Sequence, residues 1–246
     1  MQLTVLGVGH SFTTIDAHTN FFIQHPQYGV LIDAGTTLRS SLIDANISLN
    51  DITHIFITHF HHDHVGGLAE LLMKSYWQFN EHGHQPHIPT LILRREQLAE
   101  IEGLLAPSLN NQQFTWQSYC HVAFFEDNAF SIGDVTYECI VTDELHCEGM
   151  RSYGLRVTER DVNIVISGDI KHLQQSTILQ YITDSTAAVF TDVSYANNPL
   201  HASYEETIQY YPAAILENVY AVHYDKIETG YDAIQYAQKN ERFIFL

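Results

Sequence analysis

The segment Ile55–Gly67, IFITHFHHDHVGG, limits the fold more than any other part of this 246-residue chain. An uninterrupted apolar run, Ile55-Phe56-Ile57, ends at Thr58; four imidazoles and a carboxylate follow within six residues, ahead of a glycine pair. Continuous apolar runs mark strands buried on both faces, which require helices outside the sheet. Crowding ionisable rings together brings no folding advantage, whereas neutral imidazole is the commonest ligand for zinc-like ions. His59 and His61 are two residues apart and share one direction while the chain is extended. Asp63 and His64 come after the turn and can face a second ion. His62 fills the slot between them and is expected to point away from the metals.

The rest of the chain repeats the pattern of short apolar runs alternating with helical periodicity. Strands are expected at Leu3–Val8, Asn20–Gln24, Gly29–Asp33, His54–Thr58, Thr90–Leu93, Val135–Val141, Ser152–Val157, Val162–Ser167, Ala187–Thr191, Val219–His223 and Phe243–Leu246. Helices are expected at Thr36–Ala45, Gly66–Lys74, Arg95–Leu104, Ser176–Tyr181, Tyr204–Tyr211 and Tyr231–Lys239. Neither repeats nor linkers interrupt the chain, so 1–246 reads as one α/β domain. Two stretches lack periodicity, Trp77–Pro89 with His82, His84 and His87, and Ala106–Ser118, rich in Asn and Gln. Stretches of this kind are often lids or binding loops. The three histidines are expected to be solvated rather than to bind metal.

Composition narrows the function. No run of 18 or more apolar residues appears, and the N-terminus reads as a first strand rather than a signal peptide. Cys120, Cys139 and Cys147 form no CxxC pair, and an odd number cannot all pair; they read as reduced thiols of a cytoplasmic protein. Cys147 follows a histidine and, if on a strand, faces away from it. The net charge of −18 repels polyanions and anionic membranes, although bound cations would cancel part of it. A broad nucleic-acid tract is therefore not expected. Sixteen histidines are a large surplus for a chain of this size and point to metal.

H-x-H-x-D-H after a strand ending in Thr resembles the metallo-β-lactamase superfamily, and the resemblance covers nearly the whole chain. It implies an αββα sandwich, two mixed β-sheets packed face to face and flanked by helices. It also implies further ligands at strand ends, for which the sequence offers His146 in DELHC, Asp169 in IVISGDI and His223 in VYAVHYD. By this resemblance His59, His61 and His146 hold one ion, Asp63, His64 and His223 the other, and Asp169 bridges them. Two divalent ions are implied, zinc foremost, with manganese and iron also accepted by such ligands. Val30–Gly35, VLIDAG, matches a strand-turn of the family; its Asp33 is expected to support the histidine loop through hydrogen bonds rather than to bind metal. Gly7 and Gly9 make a tight turn near the site, and His10 and His18 on the same loop border the pocket.

Within the superfamily, three local features resemble ribonuclease Z and related phosphodiesterases. These are Gly7-Val8-Gly9 with its Ser-Phe-Thr-Thr stretch, the strand Ser152–Val157, and Leu200-His201-Ala202-Ser203 ahead of a helix and His223. In that branch the His-x-Ser/Thr histidine contacts the scissile phosphate, a role that falls here on His201. The implied chemistry is attack on phosphorus by a metal-bridged hydroxide, with Asp63 orienting metal and nucleophile and His201 stabilising charge and protonating the leaving oxygen. Arg151 or Arg156 can pair with a phosphate. The chain lacks the long basic arm with which ribonuclease Z grips transfer RNA, and it is acidic throughout, so long RNA is not the expected partner. A small phosphodiester, a cyclic nucleotide or a similar cyclic phosphate, fits better. The alternative within the fold is a thioesterase, lactonase or other carboxylic ester or amide hydrolase; a diiron oxygen-using protein and a metal-free binding module are more distant rivals. The resemblance also allows a homodimer.

Overall fold

The computed structural model describes residues 1–196, 198–225 and 230–245. Strands β1 (Gln2–Gly7), β2 (Asn20–His25), β3 (Tyr28–Ile32) and β4 (His54–Phe56) build the first sheet. A small separate hairpin, β5 (Phe79–Asn80) and β6 (Gly83–His84), follows, and β7 (Thr90–Leu93) with β8 (His121–Phe124) extends the first sheet. The second sheet takes β9 (Ala129–Ile132), β10 (Val135–Val141), β11 (Tyr153–Glu159), β12 (Val162–Ile166), β13 (Thr186–Asp192), β14 (Val219–Val222) and β15 (Gln235–Tyr236). A last strand, β16 (Arg242–Ile244), returns to the first sheet, giving the orders β16-β1-β2-β3-β4-β7-β8 and β15-β14-β13-β12-β11-β10-β9. Helices α1 (Leu38–Ala45), α2 (His62–Val65), α3 (Leu68–Tyr76), α4 (Leu98–Leu109) and α5 (Tyr204–Tyr210) lie between these strands in sequence.

Both sheets mix parallel and antiparallel neighbours, and the continuous apolar runs explain how the layers stack. Along β2, Phe21 and Ile23 enter the core between the sheets while Phe22 joins the core under the helices. In β3 and β4 the same alternation sends Val30, Ile32 and Phe56 inward and Leu31 and Ile55 outward onto α1, α3 and α4. Across the interior, Phe21 of the first sheet meets Phe190 of the second edge to face, with centroids 5.4 Å apart. The result is the expected αββα sandwich. No helix among the described residues is long and apolar enough to cross a membrane.

Some expectations need correction. The segment Tyr231–Lys239 is not helical; it carries β15, which pairs with β14 in parallel. Its helix-like spacing of Tyr231, Ile234 and Ala237 reflects packing against the second sheet's core, and tertiary pairing overrides the local pattern. Ser176–Tyr181 contracts to a 3-10 turn over Ile178–Tyr181. β8 and β9 were not anticipated, because neither has a clean apolar alternation. The stretch Trp77–Pro89 contains the β5–β6 hairpin, and α4 runs on to Leu109 through Pro107. Of the expected strand Phe243–Leu246, Leu246 lies outside the described residues.

The loops after β3 and β4 approach so closely that only glycine fits between them. A Cβ on Gly35 would lie 2.0 Å from the carbonyl oxygen of Asp63. Gly35→Ala should lower the urea midpoint and metal occupancy together. Phe190→Ala, which empties a core site at a cost of about 3–5 kcal/mol, should lower the midpoint while the protein still takes up metal. Urea titration with parallel metal analysis reads both, and full metal uptake by Gly35→Ala would refute the positional role.

Candidate metal centre

The elements of both sheets end at one edge, and the sequence-expected residues converge there. His59 follows β4, His61 caps α2, Asp63 and His64 lie in its first turn, Asp169 follows β12 and His223 follows β14. His146 sits in a turn between β10 and β11. Ligand atoms of His59, His61, His146 and Asp169 come together within 4.8 Å of one another, as do those of Asp63, His64, Asp169 and His223. Asp169 belongs to both groups. Its Oδ2 lies 3.7 Å from His59 Nε2 and from His146 Nε2, and 3.2 Å from His64 Nε2 and from His223 Nε2. Asp63 Oδ2 closes the second group at 3.1 Å from His223 Nε2 and 3.4 Å from His64 Nε2.

The hydrogen bonds behind the rings decide which nitrogen each histidine presents. Asp33 accepts from the Thr58 amide at 2.7 Å and from the Thr58 hydroxyl at 2.8 Å. The Thr58 hydroxyl, having donated to Asp33, accepts from His59 Nδ1 at 3.1 Å. His64 Nδ1 donates to Asp33 at 2.7 Å, and His146 Nδ1 donates to the carbonyl of Leu200 at 2.8 Å. Each of these rings therefore turns its Nε2 inward. His61 turns its Nδ1 inward, 3.2 Å from His59 Nε2 and 3.0 Å from His146 Nε2. Lone pairs meeting at such distances repel unless a cation lies among them, and buried His64 Nε2 has no hydrogen-bond partner. Imidazoles anchored from behind by carboxylate, hydroxyl and carbonyl are the usual dress of metal ligands. The residues present fit divalent ions of the zinc type.

Electrostatics agree. Burial drives His59 well below its ordinary pKa, keeping it a neutral ligand. Burial also opposes charge on His64 and His223, but the carboxylates outweigh it. Asp169 and Asp33 hold His64 well above its usual range, and Asp169, Asp192 and Asp63 push His223 up to about 10. For Asp169, burial is likewise overcome, here by His223 and His64, which keep the carboxyl well below the usual range.

A third group was missed in part. Asp192, at the end of β13 and buried, binds His201 Nδ1 through Oδ2 at 2.7 Å. Its Oδ1 lies 3.5 Å from His223 Nδ1, and its Oδ2 also accepts the amide of Ile170. The expected strand stopped at Thr191, one residue short; an aspartate closing an apolar strand was the available signal. Asp192 outweighs the burial of His201 and raises its pKa. The His201 ring stands 4.7 Å from that of His223 and 5.0 Å from that of His146.

Other candidates fall outside this centre or take other roles. His10, His18, His61, Asp63, His146 and His201 line one basin of about 750 Å³; exposed His62 is also on its rim. Arg156 pairs with Glu138 at 3.2 Å across β10 and β11, so it is not a phosphate partner, and Arg151 is exposed. His84 and His87 bond to the carbonyls of Tyr76 and Ile52. Cys147 lies in a turn, not a strand, and its Sγ comes within 3.8 Å of His61 Nε2, so alternation along a strand does not turn it away.

The chain has relatives among known proteins. The family model for "Anti-Pycsar protein Apyc1" matches residues 1–244. The Anti-Pycsar protein Apyc1 of Bacillus phage BSP38 is 24% identical over 228 residues, covering 91% of this chain and 88% of that protein. Among solved structures, the metallo-β-lactamase fold protein YhfI from Bacillus subtilis superposes with a TM-score of 0.71 at 14% identity, covering 98% of each chain. Human tRNase Z, short form, superposes with a TM-score of 0.69 at 15% identity, covering 99% of each. At those identities the likeness is one of fold.

Metal ligands must shed their protons. With His223 pushed up to about 10 and His64 held well above its usual range, loading the metal-free protein at pH 7 should release a net number of protons from these rings. Calorimetry in buffers of different ionisation enthalpy measures that number. Release of none would show that the rings do not take up the metal.

Proposed function

The chain belongs to the Anti-Pycsar protein Apyc1 family, and on that premise we propose that it is a dinuclear metal-dependent phosphodiesterase that hydrolyses a small cyclic phosphodiester, with cyclic nucleotides as the substrate class. Metal-dependent hydrolysis of phosphodiesterase type rests on the family and the fold; the second ion and the cyclic substrate are the finer reading. His59, His61 and His146 would hold one ion, and Asp63, His64 and His223 the other, with Asp169 between them. Zinc suits this donor set best, ahead of manganese and iron. When bound, such ions supply charge neutralisation at phosphorus and a water activated near neutral pH.

The observation that carries the phosphodiester reading is the Asp192–His201 pair. Asp192 occupies His201 Nδ1 at 2.7 Å, so the remaining nitrogen, Nε2, is the one able to serve a ligand in the basin that His201 lines. In that position a protonated ring balances charge on the phosphoryl oxygens and delivers its proton to the leaving oxygen as the P–O bond breaks. The products are a phosphomonoester and a free hydroxyl on the same molecule. Asp63, held by His223, keeps the nucleophile's side of the centre aligned. An enzyme acting on a carboxylic ester, thioester or lactone has no phosphoryl charge for His201 to balance.

The basin's size suits one nucleotide, and a chain of net charge −18 repels a long polyanion. The experiment is turnover of bis(p-nitrophenyl) phosphate and of a 3′,5′-cyclic nucleotide by metal-loaded protein and its variants. His201→Ala should lower kcat by about 10²- to 10⁴-fold. Asp192→Asn should cost about 10- to 100-fold, since it releases the orientation of the ring rather than removing it. Full phosphodiester turnover by His201→Ala, or faster turnover of a lactone or thioester than of any phosphodiester, would overturn the reading.

A further inference from the structure

The basin in front of the carboxylates is closed by two lips from distant parts of the chain, and each carries an exposed apolar side chain. Phe12 is 86% exposed and Leu200 41% exposed, yet both line the same basin as six histidines, His10, His18, His61, His62, His146 and His201. One exposed apolar side chain means little. Two beside a basin whose other walls include six imidazoles and the Asp63 carboxylate call for a ligand with both characters. A nucleotide has them, in a charged phosphate and a base with two apolar faces.

Neither lip is a loose end. Phe12 lies on a loop tied across itself: the Gly9 amide donates to Ala17 at 2.8 Å, Thr19 to Gly9 at 3.0 Å, and Thr13 to His10 at 3.0 Å. Thr13 also anchors the loop to the other side of the site, its hydroxyl donating to Asp225 at 3.2 Å. The Phe12 amide donates to His10 Nδ1 at 3.0 Å, so ring and backbone are held together. A Cβ on Gly9 would lie 2.4 Å from the Thr13 side chain, so the tight turn requires glycine. On the opposite lip, the carbonyl of Leu200 accepts from His146 and its amide donates to Asn198 at 2.8 Å. The position of Leu200 is therefore set by a residue of the metal centre itself.

The His10 ring lies 6.3 Å from that of Phe12 and 6.3 Å from that of His223. Phe12 thus stands two ring contacts from His223, with the His10 ring between them. We propose that Phe12 and Leu200 grip the nucleobase while the phosphate occupies the centre; this rests on the cyclic-nucleotide reading above. Recognition is by the faces of the base, so the clamp holds any base through its ring plane.

The test compares a 3′,5′-cyclic nucleotide with a ribose cyclic phosphate that lacks the base. Phe12→Ala should lower kcat/KM for the nucleotide by about 5- to 150-fold, mainly through KM. The loss on the base-free substrate should be far smaller, so the ratio of the two rates drops. Leu200→Ala should shift that ratio in the same direction by less. Phe12→Trp should keep the ratio, and Ile43→Ala, an exposed apolar residue on α1, should leave both rates unchanged. Trp introduced at position 12 also reports binding directly, and its fluorescence should be quenched by a cyclic phosphorothioate nucleotide but not by the base-free compound. Equal losses on both substrates, or no quenching, would overturn the clamp. So would a dimer that becomes a monomer in Phe12→Ala with unchanged rates, which assigns the ring to a contact between copies. Quenching without turnover of any phosphodiester would instead keep the clamp and remove the hydrolase reading.

Discussion

Asp169 sits where four imidazoles meet, and one of its oxygens lies between 3.2 and 3.7 Å from all of them. It is buried, as are His59, Asp63, His64, His146 and His223. Taking so many polar groups out of water is costly unless each is paired. Much of the surrounding structure answers that demand. Asp33 holds Thr58 and His64, Thr58 in turn holds His59, Leu200 holds His146, and Asp192 holds His201 beside His223. The rings of His59, His64, His146 and His201 are each engaged from behind, so their inward nitrogens are set before a ligand arrives. Preorganised donors of this kind avoid reorganisation at the moment of reaction.

The sandwich makes that arrangement possible. Strands buried on both faces leave few polar side chains in their interiors, so polar groups gather where the strands end. Residues at the ends of β4, β12, β13 and β14 come from both sheets and meet at one edge. Close backbone passages hold the ends in register. Gly35 lets the loop after β3 touch the Asp63 carbonyl, and Gly154 admits the carbonyls of Ile166 and Ser167 just before Asp169. Two residues near the centre, Asp33 and His223, adopt positive φ angles of 66° and 62°. Non-glycine residues accept that strain where surrounding contacts over-determine it.

The centre also shows how an acidic protein can address an anion. Net charge governs the long-range field, which repels polyanions. Local charge governs a small ligand, and the basin is lined by imidazoles, with His201 raised toward its cationic form by Asp192. The two scales together favour a compact phosphate compound over a nucleic-acid chain.

The apolar runs Ile55–Ile57 and Ile164–Ile166 were legible as doubly buried strands, because continuous hydrophobicity survives without knowledge of the partner. His59, His61, Asp63 and His64 were legible because their spacing follows from a strand ending in a turn, while His146, Asp169 and His223 took their roles from the resemblance, with Asp169 and His223 each closing an apolar strand. His201 likewise was legible only through a resemblance. Asp192 was not, because an aspartate at a strand end is ordinary until a ring is seen against it. Tyr231–Lys239 was misread because its periodicity served packing against the second sheet, and β8 and β9 passed unnoticed because their pairing is supplied by neighbours. What the sequence determined alone was the doubly buried strands and the crowded donors His59, His61, Asp63 and His64 after one of them. Tertiary structure decided which nitrogen each donor presents, which acid stands behind each ring, and that Phe12 and Leu200 border one basin. Most of those relations join residues distant in sequence, 31 positions for Asp33 and His64 and 54 for His146 and Leu200, and local spacing holds no record of them.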